Sequence, residues 1–138
     1  MRVTMWGFAV DVDDRLVGCS ADSLREQLAE YERGERREFD IEVRFPDSVT
    51  GEVMRVMASI PHGETRTYGE VAAELDSHAV AVGQACGRNP VPVVVPCHRV
   101  VGADSLGGFS AAGGVDLKRA LLDHERGAVQ TGLDAYRD

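Results

Sequence analysis

The chain has 138 residues, of which 43% are hydrophobic and 28% are charged. The length allows one domain, or one domain with a small appendage. The composition is typical of a soluble globular protein and excludes a disordered or fibrous chain. The longest apolar run extends only from Val91 to Cys97, whereas a membrane-spanning helix needs about 20 residues. The N-terminal Met1–Trp6 is followed by acidic residues at 11–14 and does not resemble a secretory signal. We therefore predict a cytoplasmic protein with no membrane partner.

The acidic charge bears on which partners to expect. The formal net charge is −8, and all but one of the 15 basic residues are arginine. An acidic surface repels phosphates and normally argues against DNA binding. An acidic, lysine-poor surface also fits adaptation to concentrated salt, where a Debye length of about 3 Å at 1 M suppresses that repulsion.

The first third of the chain is predicted to contain a hairpin, a helix and a further strand. The two β-rich runs of the hairpin are Val3–Val12 and Arg15–Cys19, on either side of Asp13–Asp14. Ala21–Arg33 carries apolar residues at helical spacing, and Glu38–Phe45 alternates apolar and charged residues like a half-buried strand. These elements are too few to be stable alone.

Pro46–Ser48 is the predicted seam between an N-terminal piece, residues 1–46, and a second domain, residues 47–138. The second domain is predicted to begin with a helix at Val49–Ile60 and to end with one at Asp116–Glu125. Between them, short helices at Tyr68–Leu75 and Ala79–Arg88 are joined by a tight turn. Such a pair is the outline of a helix-turn-helix.

The second helix of that pair is unusually rich in small residues. Its small side chains are at Ala79, Ala81, Gly83, Ala85 and Gly87. One interpretation is close packing against a neighbouring helix; the other is a helix thin enough to enter a narrow groove.

Cys97, between Pro96 and His98, is the strongest chemical signal in the sequence. The three cysteines include no CxxC pair, so neither a disulfide scaffold nor a structural zinc site is expected. A thiolate is a nucleophile, and a neighbouring imidazole can take the thiol proton. Adjacent residues of a strand point in opposite directions, so the backbone must turn for the two to interact. The alternative is an inert buried thiol, at the end of an apolar strand, beside a surface histidine.

The stretch from Asn89 to Val100, with Pro96-Cys97-His98-Arg99 at its core, closely resembles the active-site signature of the O6-alkylguanine-DNA alkyltransferases. The resemblance covers about residues 48 to 126, including the stretches at 60–72, 108–110 and 118–125. It implies a DNA-repair protein that moves one alkyl group from O6-alkylguanine irreversibly to its own cysteine, with no cofactor and no metal. It also implies an α/β (α+β) fold whose second domain is winged-helix-like.

The resemblance assigns catalytic roles to four residues. Cys97 matches the alkyl acceptor, and His98 would act as its base through a water molecule. Glu125 would orient His98, which is the logic of a nucleophile, base and orienting acid. Asn89 matches the side chain that ties down the turn carrying the cysteine.

The resemblance also implies how the damaged base is held. The Tyr68 hydroxyl would hydrogen-bond a guanine ring nitrogen, and the Val100 carbonyl would accept from the exocyclic amine. Ser110 would donate to O6, Pro92 would pack on the base face, and Phe109 stands where many members carry tyrosine. Ser110–Gly114 is about two residues longer than the usual turn at this place.

The DNA partner implied is a duplex, entered from the minor groove with the target base rotated out of the stack. The matching positions are Thr67, Ala79, Val80, Ala81, Gly83, Gly87 and Arg88. Val80 stands where the family has a single arginine that fills the gap left by the extruded base. No arginine occurs between Arg66 and Arg88, so an apolar wedge is expected instead.

Two other functions remain open from the sequence. Alkyltransferase-like proteins bind damaged DNA without repairing it, but they lack the cysteine that is present here as Cys97. A helix-turn-helix regulator with an incidental thiol would have no need of the Pro96–Arg99 context or of Glu125. We expect the protein to be a monomer.

Overall fold

The computed structural model describes residues 1–107 and 114–129 of the chain. The described helices and strands are β1 (Arg2–Met5), β2 (Phe8–Asp11), α1 (Ala21–Glu32), α2 (Val49–Ala58), β3 (Arg66–Thr67), α3 (Tyr68–Glu74), α4 (Ala79–Gly87), β4 (Val100–Val101) and α5 (Gly114–Val129). Single turns of 3-10 helix occur at Asp14–Leu16 and Cys97–Arg99. This mixture of helices with two small two-stranded sheets confirms the predicted α+β class.

The hairpin is formed by different residues from those predicted. β1 and β2 pair antiparallel, and the chain reverses at Trp6 and Gly7, whose φ angles of 47° and 85° suit a two-residue hairpin turn. The expected turn at Asp13–Asp14 is wrong, because the Asp13 side chain instead accepts from the backbone N–H of Arg15 and caps the following 3-10 turn. Apart from Arg2, both halves of the hairpin therefore lie within the first of the two β-rich runs.

The strand predicted at Glu38–Phe45 is not formed. Val43 makes one isolated bridge to Val17, although the alternating apolar side chains are half-buried as expected. The Gln27 side chain hydrogen-bonds both backbone groups of Asp40, accepting from its N–H at 2.8 Å and donating to its carbonyl at 3.2 Å. A side chain thus occupies the hydrogen-bonding groups that a neighbouring strand would need.

α1 fastens the N-terminal piece to the rest of the protein. The Ser20 hydroxyl caps it by accepting from the N–H of Ser23. Leu28 and Tyr31 on its buried face belong to the same core as Leu117 and Leu121. The core is therefore continuous across the predicted seam, and the division into residues 1–46 and 47–138 stays a prediction.

The chain turns sharply where α2 begins. A Cβ atom on Gly51 would lie 1.7 Å from the Pro46 carbonyl oxygen, so only glycine allows this close approach. The Ser48 hydroxyl accepts from the N–H of Gly51 and caps the helix. The predicted helix at Val49–Ile60 is confirmed, and it ends at Ala58.

α3 and α4 confirm the two predicted short helices. Thr67 and Glu70 form a capping box at the start of α3, and the His78 ring accepts from the N–H of Ala81 at the start of α4. β3 pairs parallel with β4, with Arg66 opposite Val100 and Thr67 opposite Val101, and Tyr68 begins α3 directly after this pairing. Among the described helices, none is long and apolar enough to cross a membrane.

Candidate active site

The segment leading to Cys97 is a tight turn and not the buried strand that its apolar sequence predicts. The N–H of Val95 donates to the Val91 carbonyl at 2.9 Å, and the N–H of Cys97 donates to the Val95 carbonyl at 2.8 Å. Asn89 braces this turn, because its Nδ2 donates to Val95 O at 2.8 Å and its Oδ1 accepts from Val91 N at 3.1 Å. Pro92 is buried within the turn.

Val93 is in an uncommon backbone conformation at the centre of that turn. Its φ angle is 74°, a left-handed value that β-branched residues rarely adopt. Its side chain is only 1% exposed. Apolar burial therefore holds the backbone in a shape that its local preference disfavours.

The 3-10 turn at Cys97–Arg99 gives the change of direction that the cysteine and histidine need. Cys97 is 5% exposed. Burial raises the pKa of the Cys97 thiol to about 11, against the opposing effects of a hydrogen bond with Asn89 and the charge of Lys118. The free protein therefore holds a thiol at neutral pH, and the nucleophile needs a base.

His98 is placed to be that base. Its Nε2 lies 2.7 Å from Glu125 Oε2, and both side chains are shut off from solvent. Burial lowers the pKa of His98, more than Glu125 raises it. An ionised carboxylate can only accept, so Nε2 carries the proton and Nδ1 keeps a lone pair. Nδ1 is buried and has no hydrogen-bond partner among residues 1–107 and 114–129.

Arg99 keeps Glu125 ionised, a role that the sequence analysis did not assign. Its Nε and Nη2 each lie 2.8 Å from a different oxygen of Glu125, and its Nη1 donates to the Ile60 carbonyl at 2.6 Å. Burial alone would raise the pKa of Glu125, but the hydrogen bonds from His98 and Arg99 hold it far below the usual range. The arginine that follows His98 directly in the sequence was the available signal.

Tyr31 was also missed. Its hydroxyl donates to Glu125 Oε2 at 2.7 Å, although the two residues are 94 positions apart. In the sequence, Tyr31 is only one of the apolar positions at helical spacing in Ala21–Arg33. No local pattern could have indicated its distant partner.

Lys118 is the third missed residue, and it connects two predicted substrate-binding groups. Its Nζ donates to the Val100 carbonyl at 2.7 Å and to the Tyr68 hydroxyl at 3.4 Å, and the side chain is fully buried. Burial lowers the pKa of Lys118, while the negative charge of a thiolate at Cys97 or Cys86 would raise it. The structure thus brings Tyr68, Val100 and the cysteine turn to one place. Phe109 and Ser110 lie outside the described residues.

The predicted DNA-contacting face of α4 points outward. Val80 is 67% exposed and is among the large apolar side chains that solvent reaches. The exposed or half-buried positions of the face are Ala79, Val80, Ala81, Gly83, Gly87 and Arg88. Ala85 is buried, so close packing explains this small residue. Thr67, at the near end of α3, is half-buried and caps that helix.

Comparison with known proteins agrees with this geometry. Residues 48–127 match the family model described as 6-O-methylguanine DNA methyltransferase, DNA binding domain. A methylated-DNA–protein-cysteine methyltransferase of Mycolicibacterium paratuberculosis is 49% identical over 105 residues, 73% of this chain and 62% of that protein. Its counterpart in Archaeoglobus fulgidus is 42% identical over 113 residues, 75% of this chain and 74% of that protein.

Solved structures give the same similarity. The Mycobacterium tuberculosis OGT in complex with DNA superposes with a TM-score of 0.72 at 41% identity, covering 78% of this chain and 68% of that chain. The O6-methylguanine methyltransferase structure from the same organism gives a TM-score of 0.72 at 39% identity, covering 83% and 71%. The chain spans less than two thirds of the length of the M. paratuberculosis relative.

Proposed function

The chain belongs to the 6-O-methylguanine DNA methyltransferase family, and on that basis we propose that it repairs O6-alkylguanine in DNA by moving the alkyl group to Cys97. The observation that carries the proposal is the buried thiol beside the His98–Glu125 pair. A thiol whose pKa is raised to about 11 adjoins a neutral imidazole oriented by an ionised carboxylate. This is the arrangement of an activated nucleophile.

The reaction is a single displacement. The thiol proton passes to His98 through a water molecule, the sulfur attacks the alkyl carbon, and the carbon–oxygen bond of O6-alkylguanine breaks. The electron pair of that bond leaves with guanine, and a hydrogen bond from the Tyr68 hydroxyl to a ring nitrogen stabilises the leaving base. The new thioether is stable, so each protein molecule reacts once, at Cys97, and no cofactor is consumed.

Access requires that the base leave the duplex, because a buried thiol cannot reach a base that is stacked and paired within the helix. The outward face of α4 carries small residues and the exposed Val80, which suits entry into the minor groove. We propose duplex DNA as the partner, with the base rotated toward Cys97. We propose further that the protein acts as a monomer in the cytoplasm.

The test is incubation with an oligonucleotide containing O6-methylguanine, followed by intact mass and peptide mapping. The expected result is one added methyl group, on Cys97, at a stoichiometry of one per protein. Binding without any mass increase would indicate a damage-binding protein instead. Equal affinity for undamaged DNA and no transfer would indicate a helix-turn-helix regulator.

A further inference from the structure

Oxygen Oε2 of Glu125 is shared by three donors from two parts of the chain, α1 and the 3-10 turn at Cys97–Arg99. The Tyr31 hydroxyl and His98 Nε2 each lie 2.7 Å from it, and Arg99 Nη2 lies 2.8 Å away. The other oxygen faces Arg99 Nε at 2.8 Å and the N–H of Gly63 at 3.4 Å. Tyr31 is the only one of these donors that lies outside residues 48–127.

The N-terminal piece and α5 together hold the Tyr31 ring in place. Phe39 lies 5.4 Å from it and Trp6 lies 6.4 Å away, both between ring centroids. The ring of His124 lies 5.1 Å away, and its Nε2 is 2.6 Å from the Tyr31 carbonyl. Tyr31 itself is fully buried. The hydroxyl position is thus fixed by residues from the hairpin, the 38–45 segment and α5.

The Tyr31 hydroxyl remains a donor because burial, followed by the nearby charge of Glu125, raises the pKa of the phenol far above its usual value. Each hydrogen bond that a carboxylate accepts stabilises its negative charge and reduces its pull on the remaining donors. A neutral hydroxyl competing for Oε2 therefore weakens the support that Glu125 can give to a protonated His98.

We infer that Tyr31 is a positioning residue for the alkyl-transfer site, which acts through Glu125 to keep His98 neutral and able to accept the thiol proton. The part of this inference that concerns alkyl transfer rests on the proposed function. It makes the N-terminal piece part of the site, since residues 48–127 alone leave Oε2 with one donor fewer.

Other charged and titratable groups also face the His98–Glu125 pair. Arg99, from the 3-10 turn, and Lys118, from α5, both lower the pKa of His98. His62, in the loop after α2, interacts electrostatically with Glu125 and Arg99, and burial lowers its own pKa. Cys97 precedes His98 directly. These groups are unchanged by removal of one hydroxyl, so a Tyr31→Phe substitution isolates the contribution of the hydrogen bond.

The first measurement is the pH titration of the His98 ring nitrogens by NMR in the wild type and in Tyr31→Phe, with His98→Gln to assign the signals. Phenylalanine keeps the ring and its packing. The expected result is an upward shift of the His98 pKa by about one unit. The acid limb of the alkyl-transfer rate should move up in pH by the same amount, with little change at its plateau.

Leu28→Ala is the matched control, because Leu28 is a fully buried neighbour on the same helix. It should lower the melting temperature and leave the His98 titration unchanged. An unchanged His98 titration in Tyr31→Phe, or an equal shift in Leu28→Ala, would overturn the inference. If the wild type transfers no alkyl group to Cys97, the proposed function fails, and the NMR titration still decides the role of Tyr31.

Discussion

His98 Nε2 lies 2.7 Å from Glu125 Oε2 at a place that solvent does not reach. The contact joins the turn that carries Cys97 to α5. Arg99 Nε donates to the other oxygen of the same carboxylate, Oε1, at 2.8 Å. Because Glu125 stays ionised there, the imidazole proton is held on Nε2 and the other ring nitrogen is left as an acceptor.

Replacing the nucleophile should separate chemistry from folding. Cys97→Ser should abolish methyl transfer from an O6-methylguanine oligonucleotide, because the hydroxyl is a far weaker nucleophile than the thiol. The melting temperature should change only modestly, since the two side chains are similar in size. Intact mass measures transfer and calorimetry measures stability. Methylation of Cys19 or Cys86 in this variant would contradict the assignment of Cys97.

Glu125→Gln should impair both rate and stability. Loss of the residue that orients a general base typically slows a reaction by about 10²- to 10⁴-fold. The substitution also leaves the buried Arg99 without a charged partner, which costs about 3–5 kcal/mol. The matched control is Glu74→Gln, whose exposed ion pair with Arg66 should contribute at most about 1 kcal/mol. Single-turnover kinetics and denaturant unfolding measure the two effects; wild-type kinetics in Glu125→Gln would rule out the relay.

The thiol should titrate only in alkaline solution. Burial raises the pKa of Cys97 to about 11, so thiolate absorbance in the ultraviolet, taken as the difference between wild type and Cys97→Ser, should appear near that pH. Because the folded pKa lies above that of the unfolded thiol, the stabilisation linked to Cys97 is fully present at neutral pH. It is lost as the pH rises toward 11. A thiolate signal at neutral pH would contradict this.

Gly107 should be needed for the position of Tyr68. Its φ angle is 78°, and a Cβ atom there would lie 2.7 Å from the Tyr68 hydroxyl. Gly107→Ala should therefore displace the ring, at a backbone cost of about 1–2 kcal/mol, and slow transfer from a free alkylguanine base. In the control Gly83→Ala, the added Cβ would lie 4.0 Å from the same ring and should leave that rate unchanged. Equal transfer rates in Gly107→Ala and Gly83→Ala would show that Tyr68 tolerates the displacement of its ring.

Val80 should limit the repair of duplex DNA. A flipped base leaves a gap in the stack, and valine can fill it only in part, whereas arginine can intercalate and also bond the orphaned base. We expect faster transfer from single strands than from duplexes, with Val80→Arg narrowing the difference. Val49→Arg adds the same charge at another exposed valine, on α2, and controls for attraction to phosphates. A wild-type preference for duplexes that Val80→Arg leaves unchanged would show that another residue fills the gap.

The helices were the most predictable part of the fold. α1, α2, α3 and α4 each have apolar residues at helical spacing and a capping side chain close to the start, which are local features. The prediction of a strand at Glu38–Phe45 was wrong because the alternation of apolar and charged residues indicates which side chains are buried and not which backbone groups are paired. The Gln27 side-chain amide hydrogen-bonds both the N–H and the carbonyl of Asp40, and sequence spacing gives no indication of these bonds.

The candidate site was predictable where its residues are contiguous. Asn89, Cys97 and His98 lie in one motif, and the structure brings them together with Glu125 from α5. Tyr31 and Lys118 were not found, because their contacts depend on how distant helices pack. Each also resembled an ordinary helix residue, one apolar and one charged. Burial of a charged or hydroxyl-bearing side chain is visible only once the core is formed.

Val93 has a consequence for how the protein can be used as a reagent. A left-handed β-branched residue costs about 1–3 kcal/mol, and the core offsets this by burying a valine side chain, a gain of about 1.5–3 kcal/mol. The turn before Cys97 therefore keeps its shape only while the surrounding core is intact. Partly unfolded molecules should retain the thiol and lose the geometry that makes it react. The fraction of a preparation labelled by an alkylguanine probe would then count its natively folded molecules, so a labelled substrate could report folding yield directly in a crude extract.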